Sequence, residues 1–229
     1  MLRLVTLFAL SAIASCQPVP LPNLPDGFRV GTSGPVIEAF LDMLCPDCAG
    51  DWPTLMSLRA YYGNKISFIL HTFPLPYHTF AFRAAQGVHV VASLNHTSLE
   101  SSALAAFDYA TMIFLNQVDF FGGGLTQTWV DNHIAQLVSA NLGYVAADVA
   151  AGLADGGLNE DTRVSWKYAT SRYSTGTPHY LVNGIPADDL IGDGSIASWK
   201  AVIDPLITGS RQMKAPALLR FTRKDALLL

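Results

Sequence analysis

The chain has 229 residues, with 14 Lys and Arg against 18 Asp and Glu, and a formal net charge of −4. Half of it is hydrophobic and only 14% is charged, enough apolar material for one large core and the wrong composition for a disordered chain. The basic residues Arg211, Lys214, Arg220, Arg223 and Lys224 crowd the C-terminus against one acid, Asp225, leaving an acidic body with no sign of nucleic-acid binding.

Residues 1–16 read as a secretory signal peptide. Arg3 supplies the positive start, Leu4–Ala14 an apolar run too short to span a bilayer, and Ala14-Ser15-Cys16 the small residues of a cleavage site. Ile13-Ala14-Ser15-Cys16 also resembles a bacterial lipobox, in which Cys16 would carry lipid. No other stretch approaches the roughly eighteen apolar residues of a membrane span, so no transmembrane segment is expected. Export places the protein in an oxidising extracellular or periplasmic compartment, where disulfides persist. Once Cys16 is removed, only Cys45 and Cys48 remain of three cysteines. Two cysteines that close so short a loop restrict the unfolded chain little, so they are poor staples.

Residues 17–27 form a Pro-rich linker, with four prolines in Gln17–Asp26. Phe28–Val30 reads as a short strand, and Gly34-Pro35 punctuates the approach to a strand-forming run, Val36–Leu41. The run leads into Cys45-Pro46-Asp47-Cys48 and then a stretch with Trp52, Leu55, Met56, Leu58 and Tyr62 near helical spacing. Lys65–Phe73 is a second buried strand, ended by Pro74-Leu75-Pro76. Ala81–Leu94, Ser98–Phe121, Thr126–Leu142, Tyr144–Leu153 and Asn159–Tyr173 read as helices, the third capped through Thr128 and Asp131, the last two separated by Asp155-Gly156-Gly157. His179–Val182 is a strand, Asn183-Gly184 a type I′ turn, and Ile185–Leu190 a strand pairing back. Ser195 caps a helix through Ile207. Residues 209–229 are left as a basic tail.

A strand thus delivers two cysteines to the first turn of a helix. Free backbone N–H groups and the positive end of the macrodipole favour a thiolate there, and the thiolate is the nucleophile of disulfide exchange. Two residues between the cysteines let the second sulfur reach the first. A static disulfide is the plainer alternative. A zinc site would need two more ligands, and no second CxxC or HxxxH supplies them.

The stretch Asp42-Met43-Leu44-Cys45-Pro46-Asp47-Cys48, Pro53, and the distant Gly176-Thr177-Pro178-His179-Tyr180-Leu181-Val182-Asn183-Gly184 together resemble the thioredoxin superfamily, and within it the DsbA-like disulfide oxidoreductases. The likeness covers residues 34–75 and 170–208. It implies an α/β, thioredoxin-like fold over residues 28–208 with an all-helical subdomain inserted at about 80–173, which accounts for the 130 positions between Cys48 and Pro178. It implies thiol–disulfide exchange on protein or peptide substrates, with Cys45 attacking, Cys48 resolving, Pro178 in a cis peptide facing them, and Thr177 and Pro46 contacting substrate. It requires no cofactor beyond the sulfur pair and leaves the redox partner unknown.

Two residues depart from the pattern. Asp47 stands where DsbA carries histidine, and an acid there is expected to raise the pKa of Cys45 and weaken the oxidant, unless it points to solvent. Ala39 occupies the place of a buried acid that thioredoxin-like enzymes often carry; Glu38 is one residue off, on the opposite face of a regular strand. Asp42 remains as a carrier for the Cys48 proton or as a helix cap, the reading preferred here. His71 and His78 flank the Phe73–Pro76 loop and read as satisfied histidines. Phe107–Phe121 reads as core rather than a peptide groove. Asn95-His96-Thr97 is a glycosylation sequon in a eukaryotic setting. The competing functional readings are a thioredoxin-fold module that grips extended peptides without redox turnover, and glutathione-dependent small-molecule chemistry.

Overall fold

The computed structural model describes residues 22–94, 97–172 and 174–209. Residues 1–16, read from sequence as a signal peptide and including Cys16, the first part of the expected linker, Asn95 of the sequon and the expected tail from residue 210 lie outside the described residues. The elements run β1 (Phe28–Val30), β2 (Val36–Leu41), α1 (Pro46–Tyr62), β3 (Ser67–Thr72), α2 (Ala81–Leu94), α3 (Leu99–Leu115), α4 (Gln127–Leu142), α5 (Ala146–Ala154), α6 (Gly156–Ser171), β4 (His179–Val182), β5 (Ile185–Pro186), α7 (Asp188–Ile191) and α8 (Ile196–Thr208). Helices α2–α6 fall between β3 and β4 in the chain.

The five strands form one sheet in the order β1-β3-β2-β4-β5. β2 lies parallel to β3 and antiparallel to β4, and β1 and β5 pair antiparallel at the edges. β2 is therefore central and covered on both faces, which is why its sequence is a near-continuous apolar run. Ile37, Ala39 and Leu41 join the main core with α1 and α3, whereas Phe40 packs in a second cluster with Phe73, Leu75, Leu181 and Ala169 of α6. Both ends of β2 are fixed by distant residues. At its start, Val36 N–H donates to Asn183 Oδ1 at 2.8 Å and the Asn183 N–H returns to Val36 O at 2.8 Å. At its other end the register pairs Phe40 with His179, so Pro178 stands just beyond the last pair, where β2 gives way to the cysteines.

Three sequence expectations change. Thr126, not Thr128, caps α4 by accepting the Trp129 N–H, and Asp131 instead grips Arg83 of α2 through both carboxylate oxygens. Gly156 and Gly157 do not separate the last two insertion helices; they open α6, whose cap is Asp155. The strand expected at Ile185–Leu190 stops at Pro186. There Asp188 Oδ1 takes the Tyr180 N–H at 2.8 Å, removing the donor that a longer ladder would use. The expected I′ turn is present: Asn183 and Gly184 both have positive φ, 51° and 78°.

Trp52 of α1 joins the sheet side to the insertion. Its indole Nε1 donates to Thr111 Oγ1 at 2.9 Å, and its ring packs on Phe107 and Phe114 of α3. Within the insertion α2 and α3 approach closely at Gly87, where an added Cβ would lie 2.0 Å from the Tyr109 hydroxyl. That hydroxyl is buried and donates to Ala84 O, so it cannot move aside without breaking a bond. Alanine gains about 1 kcal/mol over glycine in helix propensity, but overpacking a core costs about 1–3 kcal/mol. Gly87→Ala is expected to lose up to about 2 kcal/mol net in a urea titration; a gain would show that the two helices can separate freely.

Candidate active site

Cys45 is the N-cap residue of α1, and no side chain caps that helix through a hydrogen bond. Its sulfur occupies the place of a capping oxygen, and the backbone N–H groups of Asp47 and Cys48, at the second and third helical positions, favour its thiolate. Pro46 sits at the first position, where a missing N–H is harmless, and its side chain is exposed. Both cysteines are free and buried, and they approach to 3.8 Å. The Cys45 thiol donates to Thr177 O at 3.4 Å. The Thr177–Pro178 peptide is cis. The Thr177 hydroxyl is buried without a hydrogen-bond partner and faces both sulfurs, lowering the pKa of each.

The two sulfurs are driven apart. The Cys48 hydrogen bond, the Thr177 hydroxyl and the helix N–H groups outweigh burial and bring Cys45 down from 9.0 to about 6. Full burial, then the bond and charge of Cys45, hold Cys48 well above the ordinary thiol value. The expected upward push from Asp47 is absent: its side chain is exposed, and its contribution to Cys45 is a backbone N–H that lowers the pKa.

Asp42 caps no helix. It is fully buried, its Oδ1 accepts the Leu44 N–H at 2.8 Å, and its Oδ2 accepts the Leu75 N–H at 2.9 Å and lies 2.7 Å from His78 Nδ1. One carboxylate thus fastens the cysteine loop to the loop that follows β3. Its backbone N–H also lowers the pKa of Cys48. Sequence reading missed Gln117, just beyond α3. Its buried side-chain amide donates to Met43 O at 2.9 Å and to Cys45 O at 3.0 Å, holding the same loop from the insertion. No local signal marks a glutamine for this; only its position at the end of an aromatic helix hints at it. Of the Phe107–Phe121 stretch, Phe107 and Phe114 are core, and Phe121 is exposed.

His71 is not near the cysteines in function. It lies on the opposite face of the sheet, 2.7 Å from Asp26 and 3.3 Å from Glu38, stacked on Phe40. Burial lowers its pKa, but the two carboxylates more than offset this and leave it raised. Glu38 and Ala39 therefore face opposite ways, and Ala39 leaves no carboxylate on the Cys48 side of β2. On the far side of Pro178, Asp51, Asp188 and Asp193 line a cavity of about 240 Å³, with the buried Tyr180 hydroxyl donating to Asp51 at 2.8 Å. Among the described residues no group of three His, Cys, Asp or Glu is placed to hold a metal ion.

No family model matches the chain, and no curated protein sequence matches it. Solved structures do. A structure described as a putative protein-disulfide isomerase from Pseudomonas syringae superposes with a TM-score of 0.65 at 19% identity, over 78% of this chain and 98% of that one. Alpha-DsbA1 from Wolbachia pipientis gives 0.62 at 17% identity, over 82% and 93%. BdbD from Bacillus subtilis gives 0.62 at 13%, over 80% and 94%. The fold is the one these solved structures share, a thioredoxin-like sheet with a helical insertion. Within this DsbA-like fold, helices α2–α6 are the helical insertion.

Two predictions follow from this geometry. Because folding lowers the pKa of Cys45, its thiolate stabilises the reduced protein above the unfolded value of 9.0, and this is lost as pH falls through about 6. Cys48 stays protonated throughout, so reduction takes up one proton above pH 6 and two below. The reduction potential should fall by about 30 mV per pH unit above pH 6 and about 59 mV below it; a break near pH 8–9 instead would mean an ordinary thiol. Gln117→Leu removes the side-chain donor to Met43 O and one of two donors to Cys45 O, which keeps the Ala49 N–H, and is expected to cost about 1–3 kcal/mol in thermal or urea unfolding.

Proposed function

We propose that the protein is a thiol–disulfide oxidoreductase acting on protein or peptide thiols and disulfides through Cys45 and Cys48. The observation that carries this reading is the divided pair: a thiol with a pKa of about 6 within 3.8 Å of a buried thiol that holds its proton. A structural disulfide needs no such division. The DsbA-like fold supports the reading, because it brings Thr177 and Pro178 to the same sulfurs.

In the reducing direction, the Cys45 thiolate attacks one sulfur of a substrate disulfide. The Cys45–substrate S–S bond forms as the substrate S–S bond breaks, and the other substrate sulfur leaves as a thiolate. Cys48 then loses its proton and attacks the Cys45 sulfur, releasing the second substrate thiolate, which takes up a proton. The enzyme pair is oxidised and the substrate reduced; starting from the Cys45–Cys48 disulfide, the same steps reversed oxidise a substrate dithiol. Thr177 and Pro178 hold the substrate chain beside Cys45, and exposed Pro46 forms the rim it meets. Asp42 acts by fixing the redox loop; Asp47 leaves the thiolate to its backbone donors.

An exported location agrees with this chemistry, with residues 1–16 as the signal peptide and an oxidising compartment supplying disulfides. No helix among the described residues is long and apolar enough to cross a membrane.

Cys48→Ala incubated with a disulfide-bonded protein should accumulate a mixed disulfide through Cys45, visible by non-reducing electrophoresis and mass spectrometry. Cys45→Ala should form none and reduce none. A Cys48→Ala protein that traps no substrate would remove the proposal.

A further inference from the structure

The segment after β3, the start of α2 and helix α6 enclose a groove of about 460 Å³, within the roughly 300–1,000 Å³ of ligand clefts. Leu75, Phe82 and Trp166 make it apolar, and Trp166 keeps 39% of its surface exposed. Pro74 and Pro76 form one wall and lack N–H donors there, so an occupant is held by side chains rather than by strand pairing. Arg163 and Lys167 stand on the α6 side, and no acidic side chain lines the groove. Among the described residues Arg163 pairs with Glu160, at 3.4 Å; the pair is exposed and of little worth in water, so the guanidinium is available.

The groove is joined to the chemistry. His78 lines it, and His78 Nδ1 is 2.7 Å from Asp42, whose other oxygen holds the N–H of Leu44, the residue before Cys45. A second cavity, beside Pro178, is lined by Asp51, Asp188 and Asp193. The surroundings of the redox loop therefore offer carboxylates in one cavity and cations around an apolar floor in the other.

We propose that the groove seats a segment of the exchange partner's polypeptide that carries an apolar side chain beside Asp or Glu. This names a substrate class for the redox site and rests on the oxidoreductase reading. The apolar side chain fills the space over Leu75, Phe82 and Trp166, and the carboxylate meets Arg163 and Lys167, desolvated on one side by the indole. Complementary charge selects the partner and its direction across Cys45.

The test uses a cysteine-free nine-residue peptide with a central Leu-Phe pair flanked by glutamates, titrated into the protein while NMR follows the Trp166 indole and the amides of Leu75 and Thr79. Saturable shifts are expected. The double variant Arg163→Glu, Lys167→Glu, both on the surface of α6 and checked for native circular dichroism, should bind about tenfold more weakly. The same peptide with lysines for glutamates should be comparably weak on the unaltered protein, and Ser-Ser for Leu-Phe should abolish the shifts. Absence of saturable shifts, affinity indifferent to the charge reversal, or equal binding of the lysine peptide would overturn the proposal. Because the peptide has no sulfur, its binding is read separately from exchange. A protein that binds it but traps no mixed disulfide loses the redox reading and keeps the groove, whereas one that traps substrate and ignores the peptide loses the groove alone.

Discussion

The structure turns on a helix that begins at a thiol where a capping oxygen usually stands. Backbone N–H groups at a helix start require an acceptor, and serine, threonine or aspartate usually supplies oxygen. Here the residue in that place is Cys45, so the need of α1 for an acceptor becomes a force that draws the thiol toward its anion. Everything else holds this arrangement in register. β2 aims the chain at the helix, Asp42 and Gln117 grip the loop between them from two different parts of the fold, and β4 brings Thr177 against the sulfur.

The same turn explains why the second cysteine differs. Cys48 is one turn deeper, at the third helical position, and lies with no exposed surface against the main core. Burial penalises its charge while the helix start rewards that of Cys45. Two chemically identical groups three residues apart are thereby given different acidities, which is the order the proposed exchange uses. The acid at Asp47 does not disturb this division because its carboxylate lies in water, where its field is screened.

Much of this was legible in the chain. The run Val36–Leu41 before Cys45-Pro46-Asp47-Cys48 announced a strand feeding a helix, and alternation along it placed Glu38 and Ala39 on opposite faces. The Thr177-Pro178 loop was legible through its resemblance and through Asn183-Gly184, whose turn sets the register of β4. What remained hidden depends on contacts between distant residues of ordinary type. Asp42 looked like a cap because the nearest helix start was three residues away, yet its partners Leu75 and His78 arrive from the far end of β3. Gln117 comes from the end of α3 and carries no spacing signal. His71 was legible as a satisfied histidine, but not that Asp26, from the Pro-rich linker, satisfies it. Of the two readings of Asp47, the structure shows the carboxylate turned to solvent, because sequence adjacency to a thiol says nothing of where a carboxylate points.

The clamp at the start of β2 has a bearing on how the molecule is made. Val36 is held by Asn183, and Cys45 by Thr177, residues that leave the ribosome well over a hundred positions later. A chain delivered N-terminus first exposes both cysteines long before β4 exists to close the sheet over them. During that interval the pair is a bare dithiol, without its Thr177 contacts and open to any passing oxidant. Completion of the final third of the chain is therefore also the moment at which the two sulfurs acquire their separate identities.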